Sequence, residues 1–434
     1  MSSIINRKVN SYVEEICGLI KNKRVHEDVK DEIISHIEEI MKDYIDVGLS
    51  EDEAVDKAIK QMGSAEVVGK DLNKIHKAAP DWLLIGMTGT FILIGFLLLN
   101  FMQKNNMVSN NYINMISNMA IYGAGGVLIS LILLRVDYRA LKEYSKIIYI
   151  MAIVLFIAGF FMSGAINGQI GWIRMGNITV NAFTMAPFFL IIALAGLFDG
   201  WNWEDKKFLF LGFLLVFAPC IFFILRPDIV NFVIYVIAAL TIMLTSGLKL
   251  RYVLITIGIG TGAFWAFLAS NAYRIERFTM FLHPEQDANG AGWIYNQLAM
   301  LRSNAGLFGQ GKNFNYLMLP EAHTDFIFTF LISCFGWAAG IILIALILAF
   351  IVRIFYVGTT VKDGYGKLLV NGFCALFAVQ FLISVGMNLN LMPTLAVSMP
   401  FLSYGGSSLV INILSVTIIS NVFKWRNTPY KAVG

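Results

Sequence analysis

One aspartate stands where a long polar segment gives way to an apolar one: Asp325, in the run Leu319-Pro320-Glu321-Ala322-His323-Thr324-Asp325-Phe326-Ile327-Phe328. A carboxylate at such an edge has its basicity open to tuning by burial, which makes it a candidate proton acceptor. The same position also suits a cap for the helix that follows, since an aspartate there accepts a backbone N–H. Upstream lie Tyr273-Arg274-Ile275-Glu276-Arg277, then Gly290-Ala291-Gly292-Trp293, Gln297, and the run from Gly306 through Gly309 and Gly311 to Lys312. Cations beside flexible glycine-rich backbone suit an anionic phosphate group. Ordinary interfacial charge is the plainer alternative for Arg274, Arg277 and Lys312.

The elements that hold these residues follow from composition. The chain has 434 residues, 57% hydrophobic and only 14% charged, against about 25% charged in soluble globular chains. The charge is unevenly spread. Residues 1–80 carry 12 Lys+Arg and 16 Asp+Glu, and the remainder carries 21 and 13, so an acidic segment precedes a basic, apolar one. Such a split predicts two parts in different solvents. Residues 1–78 read as a small helical domain. Ile33, Ile34, Ile37, Ile40, Met41 and Tyr44 recur at helical spacing, Gly48 ends that helix, and Ser50-Glu51-Asp52-Glu53 has the pattern of a capping box. From Trp82 onward, apolar runs of spanning length, about 20 residues of helix, begin near residues 82, 115, 147, 207, 229, 252, 324, 367 and 401. A shorter one covers Phe183 to Phe198. The prediction is an all-α polytopic membrane protein of about ten transmembrane helices, with its transmembrane domain over 82–425.

Residues 1–20 are charged and lack the unbroken apolar core of a secretory signal, so insertion falls to the internal segments. Loops on one side carry fourteen basic residues, among them Arg135, Arg139, Lys142 and Lys146, and those on the other carry seven. The positive-inside bias then places both termini in the cytoplasm and the long loop at about 271–323 outside. Four scattered cysteines (Cys17, Cys220, Cys334, Cys374) read as small apolar fillers.

The Leu-Pro-Glu-Ala-His-Thr-Asp-Phe-Ile-Phe run, and the later Pro400-Phe401-Leu402-Ser403-Tyr404-Gly405-Gly406-Ser407-Ser408 after Gly386-Met387-Asn388, resemble the SEDS family, the FtsW/RodA/SpoVE cell-shape, division and sporulation proteins. The resemblance covers about residues 82–425. Residues 1–78 resemble the prefix domain of some Gram-positive permease-like proteins. The SEDS likeness implies a plasma-membrane peptidoglycan glycosyltransferase with ten spans. Such an enzyme polymerises lipid II on the outer face, beside a class B penicillin-binding protein that crosslinks the product; no nucleic acid is involved. It implies Asp325 as the catalytic base toward a sugar hydroxyl. The departing lipid pyrophosphate needs cations or a divalent metal ion, for which Arg274, Arg277 and Lys312 are the candidates, the metal question staying open. Gln297, His323, Ser403, Tyr404, Gly405, Gly406 and Ser407 complete the substrate-binding set.

The chain also departs from the family pattern. It keeps Asn167-Gly168, Trp172 and Ile173, but reads Asn181-Ala182-Phe183-Thr184 where the family has Gln-Pro-Ser-Glu, with Pro187 at its lysine. Cys334-Phe335-Gly336 replaces the usual acidic pair after Phe328, and Leu395-Ala396-Val397-Ser398 the usual Thr-Gly-Ile-Pro. A kept external loop with eroded intramembrane polar support fits a divergent paralogue. Two other functions stay open at this point: a flippase for lipid-linked sugars, and a non-catalytic scaffold for a penicillin-binding protein. Neither requires the carboxylate.

Overall fold

The computed structural model describes residues 3–75, 78–105, 107, 115–162, 164–166, 169–175, 178–225, 228–313 and 319–428. It divides into two units, one of Met1–Pro80 with Phe423–Gly434, the other of Asp81–Val422.

The first unit holds four helices, α1 (Ser3–Leu19), α2 (His26–Asp46), α3 (Glu51–Met62) and α4 (Ala65–Ile75). Spacing at three and four residues puts Val29, Ile33, Ile37 and Met41 of α2 on one buried stripe, packed with Val13 and Ile16 of α1 and Val55 and Ala58 of α3. The capping box is formed: Ser50 Oγ accepts from Glu53 N, and Glu53 Oε2 accepts from Ser50 N at 3.3 Å. The chain's far end belongs to this unit too. The Arg24 guanidinium lies 4.4 Å over the Trp425 ring, and Asn22 Nδ2 donates to Thr428 Oγ1 at 3.1 Å.

The second unit is built of apolar helices. They are α5 (Trp82–Lys104), α6 (Met115–Leu133), the short α7 (Ala140–Glu143), α8 (Ser145–Phe161), α9 (Ala182–Phe198), α10 (Lys206–Phe217), α11 (Cys220–Leu225), α12 (Ile229–Thr245), α13 (Leu250–Ala269), α14 (Ala272–Leu282), α15 (Trp293–Asn304), α16 (Ile327–Thr360), α17 (Gly364–Asn388) and α18 (Gly406–Trp425). Among the described residues six helical segments are long and apolar enough to cross a membrane: α5, α6, α10 with α11, α16, α17 and α18. Four shorter apolar helices, α8, α9, α12 and α13, occupy the other places where the sequence predicts spans. The protein is an all-α multi-pass membrane protein with one small addition. Between α8 and α9 lies an antiparallel sheet, β1 (Gly164–Ile166), β2 (Gln169–Met175) and β3 (Ile178–Asn181), in the order β1-β2-β3. Ile173 faces Val180 and Arg174 faces Thr179 across the ladder, the first a β-branched pair that suits a pleated surface.

Two irregularities place the site. The last span starts at Gly406 rather than at 401, because Phe401 turns the chain with φ +67°. Its fully buried ring stacks on Phe91 and Phe377 and meets Phe350 edge-on, with centroids at 6.0, 5.5 and 5.8 Å; aromatic packing of this kind offsets the strain of the left-handed backbone. The second is a break in α16 at Gly336, with φ +84°. There the loop after α15 enters the helix. Gln310 N donates to Ser333 O at 2.8 Å, Trp337 N to Gly306 O at 3.0 Å and Ala338 N to Leu307 O at 3.2 Å. Backbone groups freed by the break are thus satisfied by another segment, as burial requires.

A Cβ at Gly336 would run into the Leu307 carbonyl. Gly336→Ala therefore adds a clash to a backbone strain of about 1–3 kcal/mol, and should melt several degrees below the wild type in detergent. Gly258→Ala on α13, where a Cβ meets open space, should melt with the wild type. Equal melting of the two variants would refute the inserted-loop account.

Candidate active site

Asp325 lies in the turn over 319–326 that leads directly into α16. The turn closes on itself: Glu321, at φ +50°, accepts on its carbonyl from Thr324 N at 3.1 Å and Phe326 N at 3.2 Å. Its carboxylate accepts from Thr324 Oγ1 at 2.9 Å. The second motif fastens this turn from outside. Tyr404 N donates to His323 O at 2.8 Å, and Ser403 Oγ donates to Thr324 O while accepting from Met399 N at 2.9 Å. Two motifs some eighty positions apart in sequence are therefore hydrogen-bonded, residue to residue, across one seam.

The first turn of α16 needs an acceptor for its free N–H groups. Phe326, at the cap position, supplies none, and among the described residues nothing donates to the Asp325 carboxylate. The acceptor comes from α17. Asn388 Oδ1 takes Thr329 N at 3.0 Å and Thr329 Oγ1 at 2.8 Å, while its Nδ2 donates to Asp325 O at 2.9 Å and Ser384 O at 2.8 Å. Asn388 thus caps α16 in trans and fixes the Asp325 backbone with the same amide. This leaves the Asp325 carboxylate without the capping duty that its position allowed.

The electrostatics follow from that placement. Burial pushes the Asp325 carboxyl up to about 7, with the negative charge of Glu321 adding to the rise. A carboxyl in that range is divided between acid and base near neutral pH, the condition under which a proton acceptor works best. His323 is buried, with Nε2 3.9 Å from Glu321 Oε2; burial lowers its imidazole, opposed by Glu321, so it is held toward the neutral form.

The other sequence candidates divide. Gln297 is half-buried on α15, and its Oε1 has no hydrogen-bond partner among the described residues. Lys312 is exposed in a short helical turn, Gly311–Asn313. Arg274 and Arg277 lie on α14, with side chains outside the described residues, as Asn167 and Gly168 are entirely. Ser403 is occupied by the seam. Gly406 lets the start of α18 press on the Tyr122 ring, where a Cβ would overlap, and Ser407 Oγ accepts from Asn181 N at 3.4 Å. Tyr404 OH accepts from Asn118 Nδ2 at 3.3 Å, and Gly405 O accepts from Leu409 N at 2.9 Å. In this arrangement the second motif clasps the first, and Asp325 and His323 are the groups it positions. At the place of the family's glutamate and lysine, α9 is capped by Asn181 Oδ1, which accepts from Phe183 N and Thr184 N, and the helix carries no ionisable residue.

Sequence reading quoted Asn388 only within the Gly386-Met387-Asn388 run and gave neither it nor Arg302 a role in the site. Arg302 Nη1 donates to Asn388 O, and Trp337 Nε1 donates to Arg302 O at 3.2 Å. The signal for Asn388 was an amide at the end of an apolar helix, since polar residues at membrane depth are rarely idle. Among the described residues no three His, Cys, Asp or Glu side chains come together as a metal site.

A family model described as a cell cycle protein, FtsW/RodA/SpoVE, matches residues 80–428. The chain belongs to the FtsW/RodA/SpoVE family. Among its relatives is a protein of Geobacter metallireducens named probable peptidoglycan glycosyltransferase FtsW, 29% identical over 72% of this chain and 86% of that protein. Another is the stage V sporulation protein E of Bacillus subtilis, 25% identical over 80% of this chain and 98% of that one. The FtsW/RodA/SpoVE fold is shared with two solved structures. One is a chain of a peptidoglycan synthase complex that coordinates polymerization and crosslinking, with TM-score 0.69 and 21% identity over 80% of this chain and 98% of that one. The other is the rod shape determining protein RodA of Thermus thermophilus, with TM-score 0.61 and 20% identity over the same shares.

Proposed function

We propose that this chain is a peptidoglycan glycosyltransferase that polymerises lipid II at the outer face of the plasma membrane, with Asp325 as general base. The observation that carries the catalytic part is the Asp325 carboxyl, pushed up to about 7 and relieved of capping by Asn388. Family membership and the naming of relatives as glycosyltransferases support the reaction class.

In the reaction, a sugar hydroxyl oxygen forms a bond to the anomeric carbon of the second, lipid-linked sugar. The bond from that carbon to the diphosphate oxygen breaks, and the diphosphate leaves with the electron pair. Asp325 takes the hydroxyl proton. Positioning and proton removal are the two contributions asked of the chain. A flippase or a scaffold would have no use for a buried carboxylate tuned to neutral pH. A class B penicillin-binding protein is the expected partner; residues 1–78 are read as a cytoplasmic prefix domain and 82–425 as the transmembrane domain.

The test is glycan-strand formation from lipid II by the purified chain, alone and with that partner. Strands in either reaction support the proposal, and lipid II left intact in both sinks it. Orientation is checked separately. A cysteine at Ala291 should react with a membrane-impermeant thiol reagent in intact cells and one at Lys146 should not; the reverse pattern would place Asp325 on the wrong side.

A further inference from the structure

Arg302 is a half-buried cation with no acidic partner among the described residues. Among the described residues its guanidinium makes one hydrogen bond, to the Asn388 carbonyl. No acidic side chain among the described residues pairs with it, in contrast to Arg353, which reaches Asp81 at 2.8 Å, and Lys142, which reaches Asp199 at 2.6 Å. Burial lowers the Arg302 guanidinium from its ordinary value, the direction expected when desolvation is not repaid by a counter-charge. A desolvated charge is expected to meet an opposite one, and the remaining guanidinium N–H groups are suited to bidentate binding of phosphate oxygens.

Its position says which anion. Asn388 touches Arg302 with its carbonyl and the Asp325 backbone carbonyl with its side-chain amide, so one residue links the cation to the stretch of backbone that carries the proposed base. A glycosyl donor has its diphosphate one bond from the anomeric carbon that is attacked, so base and diphosphate must lie on neighbouring parts of one site. Trp337, just past the helix break, holds the Arg302 carbonyl and ties α15 to α16. Lys312, by contrast, is exposed.

We propose that Arg302 is the diphosphate-binding cation of this site, paired through Asn388 with Asp325. The inference rests on the glycosyltransferase proposal for the identity of its anion. It gives the chain a cation from α15, outside the spans, where the family pattern would have supplied a lysine from α9.

The experiment is binding of a polyprenyl diphosphate to the purified full chain in detergent, beside the polyprenol of the same length. Arg302→Gln keeps an N–H for the Asn388 carbonyl and removes the charge. It should weaken diphosphate binding about ten- to a hundredfold, Arg302→Lys should weaken it less, and Gly258→Ala on α13, where a Cβ meets open space, should bind as the wild type does. Competition by inorganic pyrophosphate would mark the diphosphate as sufficient, and its failure would mark the lipid-borne form as required; either supports the site. Wild-type binding by Arg302→Gln, equal binding of the polyprenol, or equal competition by phosphatidylglycerol overturns it. If the variants do not fold, protection of Arg302 from phenylglyoxal by the polyprenyl diphosphate is read on the wild type by mass spectrometry, and lack of protection overturns the inference. A chain that makes no strands yet binds the diphosphate through Arg302 would remove the polymerase proposal and leave this one standing.

Discussion

Asp325→Asn should lower strand synthesis by about 10²–10⁴-fold, the range associated with a positioned general base, while the protein inserts and purifies as the wild type does. Folding is expected to survive because nothing among the described residues donates to that carboxylate and Asn388 does the capping. The sign of the stability effect is opposite to that of activity. The folded value of Asp325 is raised from 3.8 to about 7, so the folded state favours the protonated form, and wild-type stability falls as pH rises through that interval. Asparagine has no charge to bury, so the variant should melt at or above the wild type at about pH 8. Glu321→Gln and His323→Ala, which alter neighbours of the base, should each reduce activity less than Asp325→Asn. Strand synthesis intact in Asp325→Asn would remove Asp325 from the chemistry.

Asn388→Leu should have the second largest effect. The substitution is close in shape, but strips the Thr329 N–H of its acceptor and the carbonyls of Asp325 and Ser384 of their donor. Each buried group left alone costs about 1–3 kcal/mol, and Asn388 is fully buried. The turn bearing Asp325 is then free to shift, and a displacement of about 1 Å at a reacting group can cost 10²-fold. The expected result is a fall in kcat of about that size with KM for lipid II changed far less, together with a lower melting temperature. A variant that melts early but retains wild-type kcat would show that Asn388 stabilises α16 without positioning Asp325.

The sequence made visible what depends on local pattern. The apolar runs stand where the helices of the second unit are, and the capping box at Ser50 needed only four adjacent residues. The two motifs around Asp325 and Ser403 were legible as candidates, but not the seam that joins them. Asn388 shows why. It lies 59 positions from Thr329, and a helix capped by a residue from another helix leaves no local spacing to detect. The bland reading of Asp325 as a cap was sound on local grounds and gave way only to that distant amide. Arg302 was hidden differently. On α15 it reads as one more charge in a polar loop, and only the fold shows it half-buried and held between Asn388 and Trp337. The break at Gly336 had no signal beyond a glycine in an apolar run, because its partner is the backbone of residues 306–310 and backbone carries no sequence. The sheet over 164–181 was missed because its strands are short and interrupted by glycine.

The pH dependence of lipid II polymerisation tests the central claim most directly. A base must be deprotonated to act, so the wild-type rate should rise with pH through about 7, where the Asp325 carboxyl titrates. Because the charge of Glu321 helps hold that carboxyl up, Glu321→Gln should move the rise to lower pH, and the residual rate of Asp325→Asn should show no rise. A wild-type rate flat across about pH 5–9, or the same rise persisting in Asp325→Asn, would contradict the assignment of Asp325 as the base.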